Sequence, residues 1–185
     1  MKKLLIVGAG GLGRMTLEAA LNDFECYFVD DAQEVDNIIC DTLVVGKISD
    51  LKKLKSDYDY LIVAIGNNSF REKLTNEAIS MGYKIPTIIN HTAYISKYSE
   101  IGYGTIILSN ASVQNGAIIG NGVVITANVE IHHDCEISDY ALIYSNSTIR
   151  TYAKIGNRVK IGSNVSISNS VAINDDEIIE NGEVR

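Results

Sequence analysis

The spacing of apolar side chains changes near residue 90 and divides the chain into two segments. Before residue 90, short aliphatic runs alternate with segments in which apolar residues recur at helical spacing. The aliphatic runs predict strands at 3–7, 26–31, 60–66 and 86–90, and the helical spacing predicts helices at 13–23, 50–55 and 71–82. Strands that alternate with helices are typical of βαβ units around a parallel sheet. We therefore expect residues 1–90 to form a small, Rossmann-like α/β domain.

Beyond residue 90, a strict period of six residues replaces the helical spacing. Every sixth position from Ile95 to Ile179 is isoleucine or valine. Six residues turn an α-helix by about 600°, so this stripe cannot stay on one side of a helix. A triangular solenoid explains it, because six residues then form each face and three faces form a coil of 18 residues. We expect residues 91–185 to form an all-β solenoid of about five coils.

Charge and cysteine content narrow the class of protein. The formal net charge of −7 argues against a nucleic-acid partner, whose phosphates require a basic surface. Three irregularly spaced cysteines are typical of reduced thiols in the cytoplasm. The apolar run after the N-terminal lysines reaches glycine after four residues, too short for a signal peptide, and no stretch has transmembrane length. We expect a soluble cytoplasmic protein without a membrane partner.

Three motifs in the first segment lie at the ends of predicted strands. The glycine-rich Gly8–Gly13 follows a strand and opens a helix, the context of a phosphate-binding loop. Asp30–Asp31 ends the second strand, where carboxylates could bind a ribose or a base, and Gly66–Asn68 follows the third. Ligands of parallel sheets bind beyond the carboxyl ends of the strands, so these motifs could converge on one ligand. The alternative is a glycine turn that only packs the strand against the helix.

The stretch "VEIHHDCEI" at 129–137 contains the candidate catalytic residues of the second segment. In the register of the repeat, Ile131 points inward, His132 points outward, and His133 with Asp134 lies near a corner. Cys135 takes the small inward position and is expected to be a core residue. A histidine beside a carboxylate is the arrangement of a general base and its orienting group, although a solvated or interface pair is the alternative. The stretch has too few spaced ligands for zinc, so we expect no metal.

The order of motifs along the chain resembles one known family. "LLIVGAGGLGR", "FVDD", "AIGNNSFR" and "INHTAYIS" are followed by hexapeptide coils that contain "HHDCEI". This order is similar to the bacterial sugar O-/N-acyltransferases of the NeuD/PglD type, in the hexapeptide-repeat superfamily. The resemblance implies a left-handed parallel β-helix, a homotrimer with active sites between subunits, a nucleotide-sugar bound by the α/β domain, and acetyl-CoA bound by the β-helix. The implied products are acetylated sugars for surface glycans.

The resemblance also implies roles for particular residues. His133 would be the general base, oriented by Asp134. Leu142 and Thr151 stand where the family has a second histidine and a glycine, on the wall that would bind acetyl-CoA. The nucleotide-sugar contacts would come from Gly8, Gly10, Gly11, Asp30, Asp31, Gly66 and Asn67.

The chain departs from the family pattern at several positions, which leaves a second function open. The altered positions are Leu12, Thr126, Leu142, Ser145, Asn146, Thr151, Ser168 and Ser170. Most of them lie on the β-helix, whereas the first domain keeps most of its motif glycines and both aspartates. The alternative function is therefore a nucleotide-sugar-binding protein with a degenerate or altered transferase site. An oxidoreductase is disfavoured by the solenoid and by the small size of the first domain.

Overall fold

The computed structural model describes all 185 residues and contains two structural units, of which Met1–Pro86 is the first. Its sheet has the strand order β3-β4-β2-β1-β5, parallel throughout except for the antiparallel β3–β4 pair. The elements are β1 Lys2–Val7, α1 Gly11–Ala20, β2 Phe24–Val29, β3 Ile38–Ile39, β4 Thr42–Gly46, a 3₁₀ turn at Ile48–Asp50, α2 Leu51–Leu54, β5 Tyr60–Val63 and α3 Asn68–Ser80. None of these helices is long and apolar enough to cross a membrane.

The central strand β1 sets the position of the first unit's loops. Its residues from Leu4 to Val7 are fully buried, as expected of a parallel strand covered on both faces. Because β1 pairs with β2 and β5 in parallel, all three strands end at the same edge of the sheet. The glycine loop, Asp30–Asp31 and Gly66 follow these ends and therefore meet there.

Two features of this unit differ from the sequence prediction. The pair β3–β4 was not predicted, because the polar turn at Asp41 interrupts its short apolar runs. The strand predicted at 86–90 does form at Ile88–Ile89, but its assignment to the α/β sheet is wrong. Ile88 and Ile89 pair with Ile106 and Ile107 of the second unit, Thr87–Arg185. A short apolar run does not reveal which sheet it joins.

The second unit is a parallel β-helix made of three sheets. Each strand pairs in parallel with the strand 18 residues further on, as Val113 does with Ile131. The sheets contain five, five and six strands, which confirms the predicted coil of three faces. The strands are β6 Ile88–Ile89, β7 Tyr94–Ile95, β8 Glu100–Ile101, β9 Ile106–Ile107, β10 Ser112–Val113, β11 Ile118–Ile119, β12 Val124–Ile125, β13 Glu130–Ile131, β14 Glu136–Ile137, β15 Leu142–Ile143, β16 Thr148–Ile149, β17 Lys154–Ile155, β18 Lys160–Ile161, β19 Ser166–Ile167, β20 Ala172–Ile173 and β21 Ile178–Ile179.

The interior of the β-helix is filled by the six-residue stripe. The stripe residues from Ile107 to Ile179 form one apolar core, together with smaller residues such as Ala117, Val129 and Cys135. Cys135 is completely buried, and burial raises the pKa of its thiol, so the sulfur stays protonated. The prediction that Cys135 is a core residue is confirmed.

The corners of the β-helix require left-handed backbone conformations. Asn110, Asn128, Asn146 and Asn164 have φ values of 56°, 59°, 63° and 57° and stand above one another in successive coils. Asparagine tolerates this conformation better than most residues because its short side chain can form local hydrogen bonds. Asn128 Nδ2 donates to Asn146 Oδ1 at 3.1 Å, so the asparagines also link consecutive coils.

The last coil is tied to its neighbour by carboxylates, which predicts a dependence on pH. Arg158 donates to both oxygens of Asp176, at 2.7 Å and 2.8 Å, and this hydrogen bonding lowers the pKa of Asp176 from its ordinary value of 3.8. A lowered pKa in the folded state contributes stability above the unfolded pKa and loses it as the pH falls through the folded pKa. We expect Asp176→Asn to lower the melting temperature slightly at pH 7 and not at roughly pH 2, as calorimetry at both values would test. An equal difference at both pH values would contradict this role of the carboxylate.

Candidate active site

His133 and Asp134 lie at one corner of the β-helix, immediately after the strand Glu130–Ile131. His133 Nδ1 lies 2.8 Å from Asp134 Oδ2, and both side chains are about half exposed. An ionised carboxylate only accepts hydrogen bonds, so Nδ1 carries the proton and Nε2 of the neutral ring carries the lone pair. The pair therefore has the geometry of a base held by its orienting carboxylate.

The coil above holds the other side of the His133 ring. Thr151 Oγ1 lies 3.3 Å from His133 Nε2, and the Tyr152 ring meets the imidazole edge-on with centroids 5.9 Å apart. With Nδ1 protonated, the Thr151 hydroxyl donates to Nε2. The imidazole is thus contacted through both nitrogens and by the Tyr152 ring, which restricts its rotation.

The preceding coil, with Ser112, Gln114 and Asn115, forms one side of a polar cleft. This cleft has a volume of about 570 Å³ and is lined by Tyr94, Ser112, Gln114, Asn115, His133 and Asp134. Its lining contains hydroxyls, amides and one carboxylate, without a lysine or arginine. Such groups can bind the hydroxyls and amine of a sugar by hydrogen bonds.

Gln114 connects the cleft to the backbone of the base. Its Oε1 accepts from His133 N at 3.2 Å, and its Nε2 donates to Glu130 Oε1 at 3.2 Å. The Glu130 carboxylate also lies 3.5 Å from Nε2 of His132, the outward-facing histidine. Gln114 was missed from the sequence, although the 18-residue coil places it beneath His132 and Asn115 beneath His133.

The two positions assigned to the acetyl-CoA wall have different surroundings. Thr151 contacts the base, whereas the side chain of Leu142 is buried and is not among the cleft-lining residues. Thr126, which replaces a family asparagine, is also buried, and its hydroxyl lies 3.1 Å from both Ile143 O and Ser145 Oγ. Of these altered positions, Thr151 is the one that contacts His133, the candidate base.

A second candidate site lies at the strand ends of the first unit. A pocket of about 410 Å³ is lined by six of the seven residues assigned to the nucleotide-sugar, namely Gly8, Gly10, Gly11, Asp30, Asp31 and Gly66. The seventh, Asn67, is not among the lining residues; it caps α3, since its Oδ1 accepts from Phe70 N at 2.9 Å. Ile48, Ile65 and Phe70 add apolar walls that the sequence motifs did not indicate.

The two aspartates of this pocket already hold its loops. Asp30 accepts from Ala9 N and Ala32 N, both at 2.7 Å, and Asp31 accepts from Ile48 N at 2.8 Å. Each carboxylate oxygen has two lone pairs, so capacity for further hydrogen bonds remains. The aspartates therefore shape the pocket in addition to lining it.

Comparison with known proteins identifies relatives of both units. Residues 3–78 match the model of the PglD N-terminal domain. The GDP-perosamine N-acetyltransferase of Escherichia coli O157:H7 is 26% identical over 148 residues, which cover 74% of this chain and 64% of the relative. The matched region thus spans less than two thirds of that relative's length.

Solved structures match the whole chain. The acetyltransferase domain of PglB from Neisseria gonorrhoeae FA1090 has a TM-score of 0.94 at 27% identity, covering 100% of this chain and 91% of that domain. The same domain has been solved with acetyl coenzyme A. A variant of the perosamine N-acetyltransferase of Caulobacter crescentus, solved with CoA and GDP-perosamine, has a TM-score of 0.95 at 22% identity, covering 100% and 89%.

A Rossmann-like domain followed by a parallel β-helix is the architecture that this chain shares with the acetyltransferase domain of PglB. The match to PglB confirms the predicted fold class, including the left-handed coils. Residues 3–78 match the PglD N-terminal domain, and the resemblance of the chain to the NeuD/PglD-type sugar acyltransferases is confirmed.

Proposed function

We propose that this chain is an acetyl-CoA-dependent acetyltransferase that acts on a nucleotide-activated amino sugar. The His133–Asp134 pair in its polar cleft carries the proposal, because acyl transfer to an amine requires a base at the attacking nitrogen. The match to an acetyltransferase domain at 27% identity over the full chain supports the same reaction class.

In the proposed reaction, the amine nitrogen of the sugar attacks the thioester carbonyl of acetyl-CoA. His133 Nε2 takes a proton from that nitrogen, the C–S bond breaks, and the CoA thiolate leaves and is then protonated. Asp134 keeps the proton on Nδ1 and stabilises the imidazolium that forms. The acceptor must first displace the Thr151 hydroxyl, because one lone pair on Nε2 cannot serve both groups.

The nucleotide-sugar is proposed to bind in the pocket of the first unit. The backbone N–H groups at the start of α1 have no side-chain cap, so they are free to bind a diphosphate. Gly10 and Gly11 leave open space where the phosphates would approach. The apolar walls formed by Ile48, Ile65 and Phe70 suit the faces of a base.

The assembly and location belong to the same proposal. The cleft at His133 is formed by one face and one corner of a single chain, and a neighbouring subunit would complete it in the implied homotrimer. Light scattering with size exclusion should give three times the 20.2 kDa chain mass. We place the protein in the cytoplasm, where both proposed substrates are made and free cysteines stay reduced.

Titration calorimetry and thiol release test this function together. We expect acetyl-CoA and a nucleotide-linked amino sugar each to bind, with constants in the range of about 1 µM to 1 mM, and to release CoA thiol when mixed. GDP-perosamine and UDP-linked amino sugars are the first acceptors to test, with NADH as the control for dinucleotide binding. Binding of NADH in place of these ligands would support an oxidoreductase.

One observation favours a second function, a nucleotide-sugar-binding protein without transfer. Thr151 already occupies the lone pair of His133 Nε2, and Leu142 places no polar group at the cleft. Binding of a nucleotide-sugar without heat from acetyl-CoA would contradict the transferase and support this alternative.

A further inference from the structure

Gly116 lies directly beneath Asp134, one coil earlier in the β-helix. A Cβ atom at Gly116 would lie 2.3 Å from Asp134 Oδ1 and 3.2 Å from its Cγ. Carbon and oxygen atoms do not approach to 2.3 Å without a bond, so a side chain at 116 and the present carboxylate position exclude each other. The carboxylate therefore occupies the space that the missing side chain leaves.

The backbone conformation alone does not explain this glycine. Gly116 has a φ of 72°, in the left-handed region. The equivalent corner residues of the next three coils are Asp134, Tyr152 and Ser170, with φ values of 59°, 64° and 61°. Three residues with side chains thus adopt the same conformation at this corner, and Gly116 is the one beneath the carboxylate.

The position of the carboxylate determines its contact with the base. Asp134 N donates to Asn115 O at 3.1 Å, which fixes the Asp134 backbone on the coil below. From there the side chain extends over Gly116 and places Oδ2 at 2.8 Å from His133 Nδ1. A shift of the carboxylate away from Gly116 would lengthen or break this hydrogen bond.

We propose that Gly116 is a positioning residue for the catalytic base: its lack of a side chain admits the Asp134 carboxylate, which in turn holds His133. The expected effect of Gly116 on kcat rests on the proposed function. The expected effects on the tautomer of His133 and on the coupling between positions 116 and 134 do not require acetyl transfer.

The kinetic test compares Gly116→Ala with Gly182→Ala. Gly182 has a similar φ of 75°, yet nothing lies within 4 Å of the Cβ that alanine would add, so this control reproduces the backbone cost alone. We expect Gly116→Ala to lower kcat about a hundredfold, the scale of a displaced catalytic group, with little change in the KM for acetyl-CoA. Gly182→Ala should keep kcat near that of the wild type.

A double-mutant cycle tests the coupling without requiring any transfer. In the Asp134→Ala background the carboxylate is absent, so Gly116→Ala should lower the melting temperature no more than Gly182→Ala does. In the wild-type background the loss should be clearly larger. If Gly116→Ala alone fails to fold, the double variant should fold, and its failure to do so would overturn the proposal.

The tautomer of His133 provides the third measurement. The protein has three histidines, so ¹⁵N NMR of labelled histidine can resolve the ring of His133. We expect the wild type to protonate Nδ1, and Gly116→Ala to shift the population toward the tautomer protonated on Nε2. An unchanged tautomer together with an unchanged kcat in folded Gly116→Ala would overturn the proposal. If the wild type transfers no acetyl group, the proposed function is wrong. The tautomer of His133 and the double-mutant cycle of positions 116 and 134 would still test the role of Gly116.

Discussion

His133→Ala is expected to lower kcat by roughly two to four orders of magnitude, the usual contribution of a general base. The reason is local, because alanine removes the Nε2 lone pair that would accept the proton of the acceptor amine. The nucleotide pocket lies at other residues, so the affinity for the nucleotide-sugar should remain close to that of the wild type. Steady-state thiol release and titration calorimetry on the same preparation would separate the two effects.

His132→Ala is the matched control for this substitution. His132 is the adjacent histidine, points outward from the strand, and has Glu130 as its charged neighbour at 3.5 Å. Its replacement should change kcat little. Equal rates for the wild type and His133→Ala would remove His133 from the mechanism.

Gly13→Ala is expected to have the largest effect on the first unit. A Cβ at Gly13 would lie 1.8 Å from Gly8 O and 2.8 Å from Gly8 C, both backbone atoms that cannot rotate away. Helix α1 would have to move off the end of β1, at a cost of about 3 kcal/mol, the upper end of the usual cost of overpacking. Because this movement distorts the glycine loop, nucleotide-sugar binding should be lost as well. Thermal unfolding and calorimetry would measure both.

Gly11→Ala separates stability from ligand binding in the same loop. Nothing lies within 4 Å of a Cβ at Gly11, and where alanine fits the native backbone it stabilises a protein relative to glycine by roughly 0.4–1 kcal/mol, because it restricts the unfolded chain. The melting temperature should therefore hold or rise. Since Gly11 lines the pocket, the added methyl group should still weaken nucleotide binding. A melting temperature that falls as far as in Gly13→Ala would contradict the packing role assigned to Gly13.

The sequence predicted the fold correctly where the apolar repeat is long. The prediction failed where a segment is short. Fifteen consecutive apolar positions at a spacing of six cannot be satisfied by a helix, so the β-helix followed from Ile95 to Ile179. The run at Ile88–Ile89 has the same local composition as a strand of the α/β sheet, and only its partner Ile106–Ile107 identifies its sheet. The hairpin of β3 and β4 was missed because β3 has only two residues, too few to show a strand pattern.

The candidate site was predictable at its centre and less so around it. The register placed His133 and Asp134 at a corner, and their 2.8 Å contact agrees with a base and its orienting group. The hydrogen bonds of Gln114 and Thr151 to His133 were missed, since each comes from an adjacent coil. Asn67 was assigned to the ligand because it follows a strand, yet the same position is the N-cap of α3. Asparagine suits both roles, so the residue type could not decide between them.

The stacking of coils also predicts how residues in neighbouring turns change together among relatives of this chain. Asp134 touches Gly116 and His133 touches Thr151, and in both pairs the partners belong to neighbouring turns of the same corner. Such partners should be inherited together: homologues with a carboxylate at 134 should keep glycine at 116, and those that lose the carboxylate should be released to accept larger residues there. The residue at position 116 of a homologue would then indicate whether its site holds, or once held, a carboxylate at position 134.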